Sequence, residues 1–261
     1  MIEYAKDDHV VTITLNRPER LNAVGRDAMA ELMTCWRRFR DDGDARVAIL
    51  TGAGDRSFCA GADLKEMAGN AMGERNHFWQ RRGRYGSVGN ALEDGFALWK
   101  PVIAAINGYC IGEGLVMALG ADIRICSRNA TFALTEVKRG LNTITGAIRL
   151  PQVIPASTAA HMALTGEAID AAEALRVGLV SSVHEQGDLP SAARSIAATI
   201  AANAPLAVQA VKETMTRGQN APFDAALATG GLLRQLILAS EDFREGLAAF
   251  AEGRSPRYTG E

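Results

Sequence analysis

Short apolar runs alternate with amphipathic stretches along the first two thirds of the chain. The runs that predict β-strands are residues 10–15, 47–51, 102–106, 123–126 and 179–183. Apolar positions at helical spacing predict a helix over residues 27–40, and two further helices are predicted at 112–119 and at about 74–98. Continuous apolar strands that alternate with helices are typical of an α/β fold whose sheet is covered on both faces.

The pattern changes beyond about residue 190. Residues 191–252 are rich in alanine and poor in strand patterns, which predicts three or four helices. The apolar positions Leu232, Leu233, Leu236 and Ile237 fit two interpretations equally: helices that cap the sheet, or an appendage that binds another subunit. We therefore divide the chain into an α/β core, residues 1–190, and a helical C-terminal region, residues 191–261.

Charge and composition exclude several classes of protein. The net charge of −2 gives no general attraction to nucleic acid or to anionic lipid, and no apolar run reaches the ~18–20 residues of a membrane span. The acidic residues Glu3, Asp7 and Asp8 are atypical of a signal peptide. The four cysteines form no CxxC pair and the four histidines no metal-binding spacing, so we expect a cytoplasmic protein with reduced thiols and no metal site.

Three local features are candidates for chemistry. Residues 57–64 (SFCAGADL) and 107–114 (NGYCIGEG) each lead from a predicted strand through small residues into a helix, where backbone N–H groups favour negative charge. The third feature is Thr135-Glu136, a carboxylate in a turn. Taken singly, each fits ordinary turn chemistry or a solvated charge. A GxGxxG fingerprint fails at Met117, which disfavours a nicotinamide dehydrogenase, and no phosphate loop or GxSxG motif occurs.

Together, these features resemble the crotonase superfamily, the enoyl-CoA hydratases and isomerases, over residues 10–258. The matching segments are RPERLNA at 17–23, FCAGADL at 58–64, KPVIAAING at 100–108, ADIRI at 121–125 and DFREGLAAF at 242–250. The resemblance implies a spiral of ββα units followed by a helical region that builds homotrimers, usually paired into hexamers. It also implies an acyl-CoA thioester as the small-molecule partner, with coenzyme A part of the substrate and no separate cofactor.

Site residues follow from the resemblance by position. The backbone N–H groups of Ala62 and Glu113 would form an oxyanion hole for a thioester enolate, and Glu136 would transfer the proton. The substrate contacts implied are Arg20, Leu21, Ala23, Ala60, Ala62, Asp63, Leu64, Gly112, Glu113 and Thr135.

The sequence departs from the family pattern at the acid/base positions. The first of the two glutamates of the hydratase pattern is replaced by Val116, while the second is retained as Glu136. Glu113 replaces the middle glycine of a GGG motif, and its side chain either substitutes as an acid/base or, as we favour, points to solvent. Residues 143–145 (TIT) replace a Pro-Gly-rich stretch, which predicts a reshaped acyl pocket, and Gly253 stands where a lysine is frequent.

We expect an enzyme that acts on acyl-CoA through an enolate, with enoyl-CoA hydratase as the leading hypothesis. Because a single base can move a proton between two carbons, the loss of one glutamate also fits an isomerase. A decarboxylase, a C–C lyase and a non-catalytic relative that binds CoA esters or RNA remain open.

Overall fold

The structure, a computed structural model, describes residues 1–66 and 96–261. Its strands are β1 (Ile2–Asp7), β2 (Val10–Leu15), β3 (Val47–Gly52), β4 (Ser57–Cys59), β5 (Val102–Ile106), β6 (Tyr109–Ile111), β7 (Ile123–Ser127), β8 (Thr131–Ala133), β9 (Ile169–Asp170) and β10 (Ser182–His184). Its helices are α1 (Arg26–Asp41), α2 (Glu113–Gly120), α3 (Thr145–Val153), α4 (Ala156–Thr165), α5 (Ala171–Arg176), α6 (Leu189–Ala201), α7 (Pro205–Gly218), α8 (Phe223–Leu238) and α9 (Glu241–Glu252).

The strands form two sheets, and the chain alternates between them. The larger sheet has the order β1-β2-β3-β5-β7-β10 and is parallel except for β1, while the smaller has the order β4-β6-β8-β9. Each of β3, β5 and β7 is followed at once by a short strand of the second sheet, namely β4, β6 and β8. This succession confirms the predicted α/β spiral, and it stacks the three strand ends that precede the candidate site.

Both faces of the larger sheet are buried, as the apolar strands predict. One face packs with α1 and α2 into the main core, which includes Trp36, Phe39 and Leu115. The opposite face of β3, β5 and β7 packs against α6, where Ala193 and Ala197 are buried. The two interpretations of the C-terminal region therefore apply to different helices. Helix α6 caps the sheet, whereas no residue of α8 is buried, which leaves α8 as a helix that could bind another subunit. The proposed boundary at residue 190 falls within α6.

Several secondary-structure predictions need correction. The strand predicted at 179–183 is observed at Ser182–His184, because Leu179 and Val180 are buried in the turn that follows α5. Strand β1 was not predicted, since this edge strand is mostly exposed and polar. Of the helix predicted at 74–98, residues 74–95 lie outside the described residues and residues 96–98 are not helical.

Candidate active site

The three candidate segments meet around one cavity of about 610 Å³. Its lining comes from the turn after β4, the first turns of α2 and the chain that follows β8. The lining residues are Ala60, Gly61, Ala62, Leu64, Gly112, Glu113, Val116, Thr135, Glu136 and the run Arg139–Thr145. Lining residues up to 85 positions apart in the sequence therefore converge, because parallel neighbouring strands end at the same edge of the sheet.

The first wall is held by pairing with residues 21–24. Ala60 N–H donates to the Leu21 carbonyl (3.0 Å), and the Val24 N–H donates to the Gly61 carbonyl (3.0 Å). The Asp63 N–H in turn donates to the Val24 carbonyl (2.8 Å), which leaves Ala62 between two hydrogen bonds. Among the described residues, no carbonyl accepts from the Ala62 N–H, so this donor is available at the cavity wall.

The second wall is the start of α2, which packs directly on the first. A Cβ atom at Gly114 would lie 2.2 Å from the Cys59 carbonyl oxygen, so only glycine permits this approach. A Cβ at Gly61 would lie 3.8 Å from the Glu113 nitrogen. The backbone at Ala62 and the first residue of α2 are thus neighbours across a narrow part of the cavity.

Glu136 begins a 3₁₀ turn, Glu136–Arg139, after β8. Its Oε1 faces Gly112, where a Cβ would lie 3.4 Å away. Its Oε2 is buried and accepts no hydrogen bond from the described residues. Because buried carboxylate oxygens are normally paired, an unpaired one that lines a cavity is suited to exchange a proton with a ligand.

The position at which the family pattern has its first glutamate is occupied by an apolar side chain at the cavity. Val116 lines the cavity and is 5% exposed. Glu113 precedes it by three residues on the same helix and is half-buried at the cavity. Burial, and secondarily the charge of Glu113, raise the pKa of the neighbouring Cys59 thiol to about 12.

A support outside the cavity fixes the first wall. Asn22, in a left-handed conformation (φ 55°), accepts from the Arg17 N–H at 2.9 Å and donates to the carbonyls of Ala53 (3.0 Å) and Ser57 (2.7 Å). The Arg17 guanidinium donates to the Ala23 carbonyl at 3.1 Å and pairs with Asp63 at 3.3 Å. These contacts join the loop before α1 to both ends of β4.

The implied substrate contacts fall into two groups. The residues that the structure brings to the cavity are Ala60, Ala62, Leu64, Gly112, Glu113 and Thr135, together with Glu136. Arg20, Leu21, Ala23 and Asp63 do not line it; Arg20 is exposed in the turn Pro18–Arg20, and Asp63 pairs with Arg17. Contacts between these four residues and coenzyme A remain predictions.

One lining residue was missed in the sequence. Arg139 lies at the far end of the 3₁₀ turn that begins at Glu136, and its guanidinium donates to the hydroxyl (3.0 Å) and carbonyl (3.3 Å) of Thr135. The signal was available, because residues three apart in a 3₁₀ turn lie on the same side. Residues 143–145, at which we expected a reshaped acyl pocket, all line the cavity, and so do the three residues before them.

Comparison with known proteins identifies the family. The family model described as enoyl-CoA hydratase/isomerase matches residues 5–261. The chain belongs to the enoyl-CoA hydratase/isomerase family.

Relatives of known name are similar over nearly the whole chain. The (E)-benzylidenesuccinyl-CoA hydratase of Thauera aromatica is 44% identical over 254 residues, which cover 97% of this chain and 96% of the relative. The carnitinyl-CoA dehydratase of Proteus mirabilis is 42% identical, with 96% and 95% covered. The crystal structure of an enoyl-CoA hydratase from Bacillus anthracis superposes with a TM-score of 0.91 at 36% identity, covering 100% of this chain and 99% of that one.

These similarities confirm the predicted family and fold, and the chain is a lyase of the enoyl-CoA hydratase/isomerase family. Over residues 1–66 and 96–261, no helix has the length and apolar character needed to cross a bilayer. Within the same ranges, no group of three potential ligands is arranged for a metal ion.

Proposed function

We propose that the protein hydrates an α,β-unsaturated acyl-CoA thioester and catalyses the reverse dehydration. The observation that carries the proposal is Glu136, whose Oε2 is buried without a hydrogen-bond partner among the described residues and which lines the same cavity as the turns that bear Ala62 and Glu113. In the hydration direction, water adds at C3 of the enoyl group while C2 gains a proton.

The negative charge that develops on the thioester oxygen needs fixed donors. We propose that the backbone N–H groups of Ala62 and Glu113 supply them, since both residues line the cavity at adjacent turns. A single donor of this kind contributes about 3–4 kcal/mol to lowering the barrier. Glu136 then gives the proton to C2, or removes it in the dehydration direction.

The acyl end of the cavity combines apolar and polar side chains. Leu141, Ile144 and Val116 lie there with Asn142 and Thr143. We propose an acyl chain that carries a polar substituent as well as an apolar part, because both would find matching neighbours. The related benzylidenesuccinyl-CoA hydratase and carnitinyl-CoA dehydratase supply two esters to test beside crotonyl-CoA.

We further propose a homotrimer or hexamer that forms through the C-terminal helices. Phe223, Leu227, Leu232 and Leu236 of α8 are each more than 60% exposed, which is atypical of the free surface of a monomer.

A cytoplasmic location is also proposed, supported by the free cysteines Cys35, Cys59, Cys110 and Cys126.

The decisive experiment incubates the purified protein with crotonyl-CoA, (E)-benzylidenesuccinyl-CoA and carnitinyl-CoA and follows the masses of the products. We expect gain or loss of one water from at least one ester, with Glu136→Gln about 10²–10⁴-fold slower. An unchanged mass with a moved double bond would identify an isomerase instead. Absence of any turnover, with RNA or CoA-ester binding retained, would identify a non-catalytic relative.

A further inference from the structure

Hydration requires two proton transfers, one from the attacking water and one to C2, yet Val116 removes the residue at which the family pattern places the first base. The described lining of the cavity contains three ionisable side chains, Glu113, Glu136 and Arg139. An arginine stays protonated at any working pH and accepts no proton. Glu113 is therefore the described lining residue that remains for the second transfer.

The helix places Glu113 on the same face as Val116. Residues three apart on a helix share a face, and side chains lean towards the N-terminal end. A glutamate at 116 would thus lean back over the turn that begins at Glu113. Since both residues line the cavity, a carboxylate at position 113 enters the same cavity within about one helical turn of one at position 116.

Two backbone distances place Glu113 near Ala62 and Glu136. Its backbone nitrogen lies 3.8 Å from the Cβ position of Gly61, next to the proposed donor Ala62. The preceding residue, Gly112, directly faces the Glu136 carboxyl group. The charge of the Glu113 carboxylate also acts on Cys59, the buried residue beneath the first wall. The two glutamates accordingly flank one part of the cavity.

We propose that the side chain of Glu113 is the second acid/base of the reaction, in place of the family glutamate lost at Val116. The inference rests on the proposed hydratase function. In hydration, the Glu113 carboxylate takes a proton from water as the water oxygen bonds to C3. The C2–C3 π electrons move towards the thioester oxygen, and C2 then takes a proton from the protonated Glu136. One water is consumed, and a proton returns from Glu113 to Glu136 through solvent.

The test compares Glu113→Gln with Glu136→Gln in two assays. The first is hydration of the ester that the native enzyme turns over; the second is exchange of the C2 protons of its saturated analogue in D₂O, which needs no attack by water. We expect Glu113→Gln to slow hydration about 10²–10³-fold while C2 exchange stays within about threefold. Glu136→Gln should slow both reactions. Glu185→Gln, at an exposed residue outside the cavity, is the matched control and should change neither.

A relocated carboxylate provides a second test. Glu113→Gly keeps the backbone N–H but removes the side chain, and adding Val116→Glu to it should restore hydration at least tenfold over the single variant. Glu113→Gln or Glu113→Gly with near-native hydration would overturn the proposal and leave the hydratase function intact. Failure of the native protein to hydrate or dehydrate any of the three esters would overturn both.

Discussion

Glu136 rests its carboxyl group against Gly112, with Oε1 at 3.4 Å from the position of a Cβ atom at that glycine. Gly112 has φ 55° and ψ −118°, a conformation that residues with a side chain rarely adopt. The carboxyl group that we propose as the proton donor and the start of α2 therefore both depend on the same glycine.

Gly112→Ala should reduce both stability and activity. The backbone strain should lower the free energy of unfolding by about 1–3 kcal/mol, and displacement of Glu136 should slow turnover about 10²-fold. Gly253→Ala is the control, because Gly253 also has positive φ but no atom of the described residues beyond its chain neighbours and its own helix lies within 4 Å of its Cβ position. Urea unfolding and steady-state kinetics measure the two effects. Equal turnover in the two variants would show that Gly112 is not needed to position Glu136.

Asn22→Ala should disturb the site from outside the cavity. The substitution removes three hydrogen bonds from the loops around β4, at an expected cost of about 2–4 kcal/mol. Because the first wall then loses its support, kcat should fall more than the affinity for CoA esters. Thermal unfolding and kinetics of Asn22→Ala and Asn22→Asp test this. The aspartate keeps the acceptor for the Arg17 N–H, but it sets a buried carboxylate oxygen against the carbonyls of Ala53 and Ser57, so it should be at least as damaging.

Ala62→Pro removes one backbone N–H from the cavity wall. We expect turnover about 10²–10³-fold slower, whereas Ala62→Ser keeps the donor and should remain near native. Circular dichroism of both variants controls for folding. A folded proline variant with native turnover would exclude this N–H from the oxyanion hole.

The buried thiols should make the free energy of unfolding depend on pH in the alkaline range. Burial raises the pKa of Cys59 and Cys126 to about 12 in the folded protein, from an ordinary value of about 9. Between these values the unfolded chain loses protons that the folded chain keeps, so the free energy of unfolding should fall as pH rises. Native protein at pH 9 should also react slowly with iodoacetamide at both residues, and quickly in urea. A Cys59→Ala/Cys126→Ala variant should show a shallower decline, measured by urea midpoints.

Charge placed on α8 should dissociate the proposed homotrimer or hexamer. Leu232→Lys/Leu236→Lys introduces two cations on the apolar surface and should shift the 27.8 kDa chain towards monomer in sedimentation. Leu164→Lys, at a leucine of α4 that is 76% exposed, is the control and should not. Native protein that sediments as a monomer would refute the assembly. Deletion of residues 222–261 should likewise give monomer or aggregate.

The parts of the fold that were predicted correctly are those whose hydrophobic pattern fits only one kind of secondary structure. Strands β3 and β5 are continuous apolar runs, and α1 has a clear apolar face, so their positions are confirmed. The strand predicted from Leu179 onward begins too early. An apolar run indicates burial, and Leu179 and Val180 are buried in a turn rather than in a strand.

The site was predictable through motifs more than through residue properties. Ala62, Gly112 and Glu136 lie in segments whose order matches a family, and the structure brings them to one cavity. The orientation of the Glu113 side chain does not follow from a motif, because it depends on how α2 packs against β4. Arg139 lies outside the matching motifs, and only its spacing of three residues from Glu136 in the 3₁₀ turn indicates its place at the cavity.

The guanidinium of Arg46, at the start of β3, donates to the carbonyls of Ala201 (2.9 Å) and Tyr258 (2.6 Å). Asp242 at the start of α9 accepts from the N–H groups of Thr259 and Gly260 at 2.7 and 3.0 Å. Arg46 and Tyr258 are 212 residues apart, so this connection can form only after the residues between them have been synthesised. The anchor that holds α9 near β3 is therefore completed only when all the strands and helices described above have been made.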